Sequence, residues 1–142
     1  MSPCFHAISD DQLKDLCEWD LACFPNETWT EKMLRTHLEF HDGFVWQETE
    51  VRGYALVCVT PWEVEIFRIG TLPTYLRSGV ARNLLESLFS FFPKKDFFLE
   101  VKANNLPALN LYQKVGFGVL ETRKNYYPDG STAILMTRKP NL

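Results

Sequence analysis

"TYLRSGVARNLLESL", residues 74–88, decides the architecture, because it carries an extended run into a helix through a single glycine. Past that joint Val80, Leu84 and Leu88 fall on one line with Ala81, Leu85 and Phe89 beside it, the period of an amphipathic helix over 79–92. Upstream, "EVEIFRIGT" (63–71) reads as a strand after the breaker Pro61, and downstream "DFFLEVKA" (96–103) reads as another. Residues 105–115 are helical again, and "FGVLETRKNYY" and "TAILMTRK" form a closing pair of strands around the turn "PDG". Strand, helix, strand, helix and hairpin predict a mixed sheet with helices on its faces, an α/β (α+β) fold.

The first half completes the pattern. After a short extended start, "DDQLKDLCEWDLACF" places Leu13, Leu16, Cys17 and Leu21 at helical spacing behind acidic residues suited to a helix start. A second helix follows "PNET": Thr28 and Glu31 have capping-box spacing, and Met33, Leu34, His37 and Leu38 make its apolar stripe. "GFVWQET" and "RGYALVCVT" read as an antiparallel pair joined near residues 49–53.

The chain has 142 residues, 46% of them hydrophobic and 23% charged, which suits one domain over 1–142 and excludes a disordered chain. No basic n-region or long apolar run marks a signal peptide or membrane span, so a cytoplasmic address is expected. Cys4, Cys17, Cys23 and Cys58 show no C-x-x-C spacing and read as small hydrophobes. Residues 1–71 hold 5 basic and 13 acidic side chains, residues 72–142 hold 10 and 5, so the overall charge of −3 hides an acidic and a basic half. That split suits a basic partner on one half and an anionic ligand on the other, and argues against generic nucleic-acid binding.

A strand feeding a helix at Gly79 gathers the helix's unpaired N–H groups at its positive end, which is an anion site. Small Ser78, Gly79 and Ala81 allow close approach to the backbone, while Arg77 and Arg82 supply charge. The stretch is neither G-x-x-x-x-G-K-[ST] nor G-x-G-x-x-G, and a glycine that serves only a tight turn explains the same residues. Glu100 stands in a strand whose other face carries Phe97, Leu99 and Val101; it either meets water at a strand end or acts as a base. Tyr112, on a helix with Leu109 and Val115, is core filler or an acid, and Asn105 before Leu106 and Pro107 is an N-cap. His37 and His41 lie four apart without a third ligand nearby, so no metal site is expected.

Leu76, Arg77, Ser78, Gly79, Val80 and Ala81 resemble the Q/R-x-x-G-x-G/A signature of the GCN5-related N-acetyltransferase (GNAT) superfamily, with Leu76 where Gln or Arg is usual. "FPNETWTEKML", "LEVKANNLPALNLYQKVGF" and "ETRKNYYPDG" are similar to three motifs of its RimI-type ribosomal-protein-alanine N-acetyltransferases, over roughly residues 24–137. The resemblance implies a central sheet of six to seven strands, splayed at the fourth and flanked by about four helices. It implies acetyl-CoA as co-substrate, its pyrophosphate on Arg77, Ser78, Gly79, Val80, Ala81 and Arg82. Its pantetheine arm would lie along Ile69, Gly70 and Thr71, with Gly70 suited to the splaying bulge, and Asn105 would be a further coenzyme contact. Glu100 is then the general base, through water, and Tyr112 the general acid. The implied acceptor is the N-terminal alanine of a basic small-subunit ribosomal protein, with no nucleic acid, membrane or metal involved. Two departures bear on the acceptor: Ser131 and Thr132 replace an acidic pair, and "PNET" lengthens a loop. A small-amine acetyltransferase and a non-enzymatic acyl-CoA-binding module remain the alternatives.

Overall fold

The computed structural model describes residues 4–140. Strand β1 (Phe5–Ala7) leads through a 3-10 turn into helices α1 (Leu13–Cys23) and α2 (Glu31–Phe40), followed by strands β2 (Asp42–Glu48), β3 (Glu50–Val59) and β4 (Glu63–Thr71). Helix α3 (Val80–Phe91) crosses to β5 (Asp96–Lys102), and α4 (Leu106–Lys114) precedes β6 (Gly118–Arg123) and β7 (Ala133–Arg138). The seven strands form one sheet in the order β1-β2-β3-β4-β5-β7-β6, all neighbours antiparallel except β4 and β5. A parallel pair needs a long crossover, and α3 supplies it.

Each face has its own core. On one, Val80, Leu84, Leu85 and Leu88 of α3 and Tyr112 of α4 pack on Val57, Val64, Ile66, Phe97, Leu99 and Met136. On the other, Leu16 of α1 and Leu34 of α2 cover Val45, Tyr54 and Leu56. Each fully buried leucine contributes about 2 kcal/mol by removal from water, so the two layers hold the sheet between them.

The fourth strand is where the sheet opens. It pairs with β5 only over Glu63–Ile66 against Asp96–Leu99, and beyond Ile66 the two strands part. In the ladder with β3, Val57 faces Ile66 and Leu56 faces Arg68, so Phe67 is an extra residue, a β-bulge. This corrects the expectation of a bulge at Gly70. Gly70 pairs with Tyr54, and a Cβ there would lie 2.8 Å from the Tyr54 ring and 3.0 Å from the Cys23 sulfur. Its role is to let the end of α1 close on β4.

Other local expectations also shift. Helix α2 is capped by Thr30, whose Oγ1 accepts from the Met33 N–H at 3.1 Å, and not by Thr28. Thr28 instead donates to the carbonyl of Phe24, tightening the loop between α1 and α2. Of the expected α2 stripe Leu34 and His37 are buried, whereas Met33 is exposed, as is Leu21 on α1. Strand β6 stops at Arg123, which leaves Tyr126 and Tyr127 in the loop before β7. Cys17, Cys23 and Cys58 are free thiols and, like Cys4, half-buried. Among the described residues no helix is long and apolar enough to cross a membrane.

Candidate active site

A cleft of about 1180 Å³ runs through the gap between β4 and β5. At one end lies the start of α3. Gly79 is its N-cap with φ +82°, a left-handed conformation that glycine adopts without the steric cost other residues incur. Arg77 has a positive φ too, at 64°, so two of the three residues 77–79 do. Asn83 is the first residue to donate back along the helix, to Gly79 O at 2.9 Å, leaving the N–H groups of Val80, Ala81 and Arg82 without an intrahelical acceptor. A Cβ on Gly79 would meet nothing within 4 Å, so the space before these groups is open.

Of the residues singled out for this turn, Arg77, Gly79, Val80, Ala81 and Arg82 border the cleft. Ser78 stands apart, its hydroxyl donating to the carbonyl of Tyr75. Arg82 is shared, with its Nε donating to Glu86 at 2.8 Å in a pair exposed on both sides.

Along β4 the phase of the ladder decides which main-chain groups face the gap. Leu72 N–H donates to Arg52 O at 2.9 Å, so Gly70 and Arg68, two and four residues back, also turn their amides toward β3. Ile69 and Thr71 therefore present theirs to the cleft, while Gly70 borders it without pointing a main-chain donor there.

Glu100 and Tyr112 reach the cleft from opposite faces. Leu99 and Val101 lie in the α3/α4 core, so alternation turns Glu100 to the α1/α2 face, whereas Tyr112 comes from α4 itself. Where strands are paired, the sheet separates two such side chains; here the opened gap brings both to one space. Burial alone pushes the Tyr112 hydroxyl up to about 12, so it stays protonated at neutral pH. Its ring meets the edge of Phe117 with centroids 5.8 Å apart, and among the described residues its hydroxyl has no partner. Glu100 accepts a hydrogen bond from the Tyr127 hydroxyl at 2.7 Å. Asn105 caps α4, its Oδ1 accepting from Ala108 N–H at 3.3 Å, and borders the same cleft.

Two features escaped the sequence reading. The bulge turns Arg68 to the α1/α2 face, where its Nε donates to Asp20 Oδ1 at 2.7 Å; Asp20 is fully buried. The Asp20 carboxylate also accepts from the Tyr54 hydroxyl and, at 2.8 Å, from Trp29 N–H, while Arg68 donates to the carbonyl of Glu27 and lies over the Phe24 ring. The loop between α1 and α2 is thus tied to the bulge. A local signal existed: the apolar residues Val64, Ile66 and Ile69 of β4 break their alternation at the bulge. The second feature is the cleft mouth, where Lys102 lies 3.4 Å from Glu27 and 3.6 Å from Asp129, linking that loop to the one before β7.

His37 is buried, its Nε2 bonding Asp42 O at 3.0 Å, and with His41 it meets the ring of the bulge residue Phe67 edge-on. Among the described residues no group of three or more metal-binding side chains occurs.

The sequence model of the acetyltransferase (GNAT) family matches residues 13–117. The ribosomal protein bS18-alanine N-acetyltransferase of Escherichia coli K12 is 38% identical over 96 residues, 63% of this chain and 65% of that protein. The N-alpha-acetyltransferase RimI of Mycobacterium tuberculosis is 39% identical over 79 residues, 55% of this chain and 50% of that one. These matches thus span between half and two thirds of the curated relatives' length. The crystal structure of the Escherichia coli ribosomal-protein-S18-alanine N-acetyltransferase superposes with a TM-score of 0.88 at 29% identity, covering 97% of this chain and 94% of that one. With the opened β4–β5 pair, the left-handed Gly79 turn and a family match over most of its length, the chain belongs to the GNAT acetyltransferase family.

Proposed function

We propose that this protein transfers the acetyl group of acetyl-CoA to the α-amino group at a protein N-terminus, the acceptor being an N-terminal alanine of a small-subunit ribosomal protein. The observation that carries the reading is the opened gap beside Gly79, into which Glu100 and Tyr112 enter from opposite faces of the sheet. The donor set fits the coenzyme. Main-chain N–H groups at a helix start with open space before them suit a diphosphate, and the outward amides of Ile69 and Thr71 suit the amide-bearing arm.

Each side chain then has a step. Glu100 takes, directly or through water, the proton that the acceptor nitrogen sheds as its bond to the thioester carbonyl carbon forms. A main-chain N–H of β4 at Ile69 or Thr71 meets the charge gathering on the carbonyl oxygen. Tyr112, held protonated by its burial, gives its proton to sulfur as the carbon–sulfur bond breaks. The acidic residues Glu27 and Asp129 at the mouth suit a basic acceptor tail, and the named relative's acceptor supports alanine.

The test is an acceptor panel with acetyl-CoA: an alanine-initiated basic peptide, a polyamine and an aminoglycoside, with products identified by mass spectrometry. The expected product is the peptide acetylated at its α-nitrogen. Glu100→Gln and Tyr112→Phe should each lower turnover by about 10²-fold or more while coenzyme affinity holds. Faster acetylation of the polyamine or aminoglycoside would overturn the acceptor assignment, and unchanged turnover in both variants would overturn the chemistry.

A further inference from the structure

We infer that Tyr127 is a positioning residue for Glu100, fixing one carboxylate oxygen so that the other is presented to the acceptor amine; this rests on the acyl-transfer reading above. The hydroxyl of Tyr127 donates to Glu100 Oε2 at 2.7 Å, and among the described residues Oε1 has no partner. An exposed glutamate samples several rotamers, so a single bond from a fixed donor narrows that range and leaves one oxygen in place for proton transfer.

The donor is itself fixed. Tyr126 N–H and Tyr127 N–H both donate to Ser131 O, at 3.1 and 3.2 Å, and Gly130 N–H closes the turn onto Tyr127 O at 2.9 Å. Asp129 accepts from Ser131 N–H at 2.9 Å and from its hydroxyl at 2.6 Å. Ser131 therefore shapes this loop. The Lys102 ammonium lies 5.0 Å from the centre of the Tyr127 ring while paired with Glu27 and Asp129, so the phenol is held from the side as well. Burial, and then the bond to Glu100, push the Tyr127 hydroxyl up, which keeps it a donor throughout the neutral range. The loop that frames the acceptor thus also aims the base.

A residue that only walls the mouth would act on acceptor binding, whereas one that aims the base acts on the chemical step. Tyr127→Phe keeps the ring and removes the donor. Single-turnover acetylation of the peptide should slow about tenfold, with acceptor KM within twofold of wild type and acetyl-CoA affinity and thermal melting unchanged. In a Glu100→Gln background the same change should slow acetylation by less than twofold, because there is no longer a base to aim. A raised KM at unchanged kcat, or a tenfold loss that persists when Tyr127→Phe is added to Glu100→Gln, would overturn the inference. Were Glu100→Gln alone to retain wild-type turnover, the assignment of Glu100 as the base would fail first and the positioning role with it; collapse of that variant beside a wild-type kcat for Tyr127→Phe would remove only the positioning role.

Discussion

Replacing Arg68 by Met separates the buried ion pair from the packing around it, since Met keeps most of the apolar stem. The pair is almost dry: Asp20 is fully buried, and the Arg68 side chain is 11% exposed. Breaking a buried pair by removing one partner costs about 3–5 kcal/mol, because the remaining charge has lost its counter-ion without regaining water. The bonds from Tyr54 and Trp29 soften that loss, so the expected cost is about 3 kcal/mol, a fall in melting temperature of roughly 10 °C for a chain of this length. By contrast Arg35→Ala, which breaks the exposed pair with Glu31, should cost no more than about 0.5 kcal/mol. Adding Asp20→Asn to Arg68→Met removes the stranded charge while keeping an acceptor, and should recover about half of the loss. Urea melts of the four proteins give these numbers. Kinetics gives a second readout: with the α1–α2 loop released, acceptor KM should rise several-fold while acetyl-CoA affinity is unchanged. A cost below about 1 kcal/mol for Arg68→Met, or a double variant less stable than the single, would refute the idea that this pair anchors the loop.

Two further outcomes are expected. Gly79→Ala and Gly130→Ala each place a side chain at positive φ, +82° and +84°, with nothing within 4 Å, so both should cost about 1 kcal/mol of stability; only Gly79→Ala should weaken acetyl-CoA binding, tenfold or more by calorimetry, and equal binding would mean that the first turn meets no ligand. Burial, countered in part by the bond to Asp42 O, holds His37 below the ordinary histidine range, so the unfolded chain takes up a proton near pH 6.5 and the folded chain only at lower pH. Stability should therefore be unaffected by this group above about pH 7 and fall as pH drops below about 6.5. His37→Gln, whose amide still reaches a carbonyl, should show a shallower decline between about pH 7 and 5.5, and an identical decline would remove His37 from the account.

Much of the framework was legible in the order of residues. The period of residues 79–92 marks α3, the glycine before it marks a left-handed turn, and alternation in β5 turns Glu100 away from Phe97, Leu99 and Val101. The expected N-cap at Asn105 and the hairpin of β6 and β7 follow from local chemistry in the same way. Caps are read less surely where several acceptors compete within a few residues: Thr28 and Thr30 are two apart, and the first is taken up by the carbonyl of Phe24 while the second caps the helix.

Periodicity and turn chemistry act between residues a few positions apart, and to that extent the sequence by itself determined the helices, the strands and the glycine turn of this protein. The tertiary structure alone decided that Arg68 would reach Asp20 across 48 positions and that Tyr127 would reach Glu100 across 27. No local rule pairs such residues, because their partners are chosen by the register of the sheet and by which face each side chain is left on. Whether Glu100 and Tyr112 share a space was settled the same way, by where two neighbouring strands part.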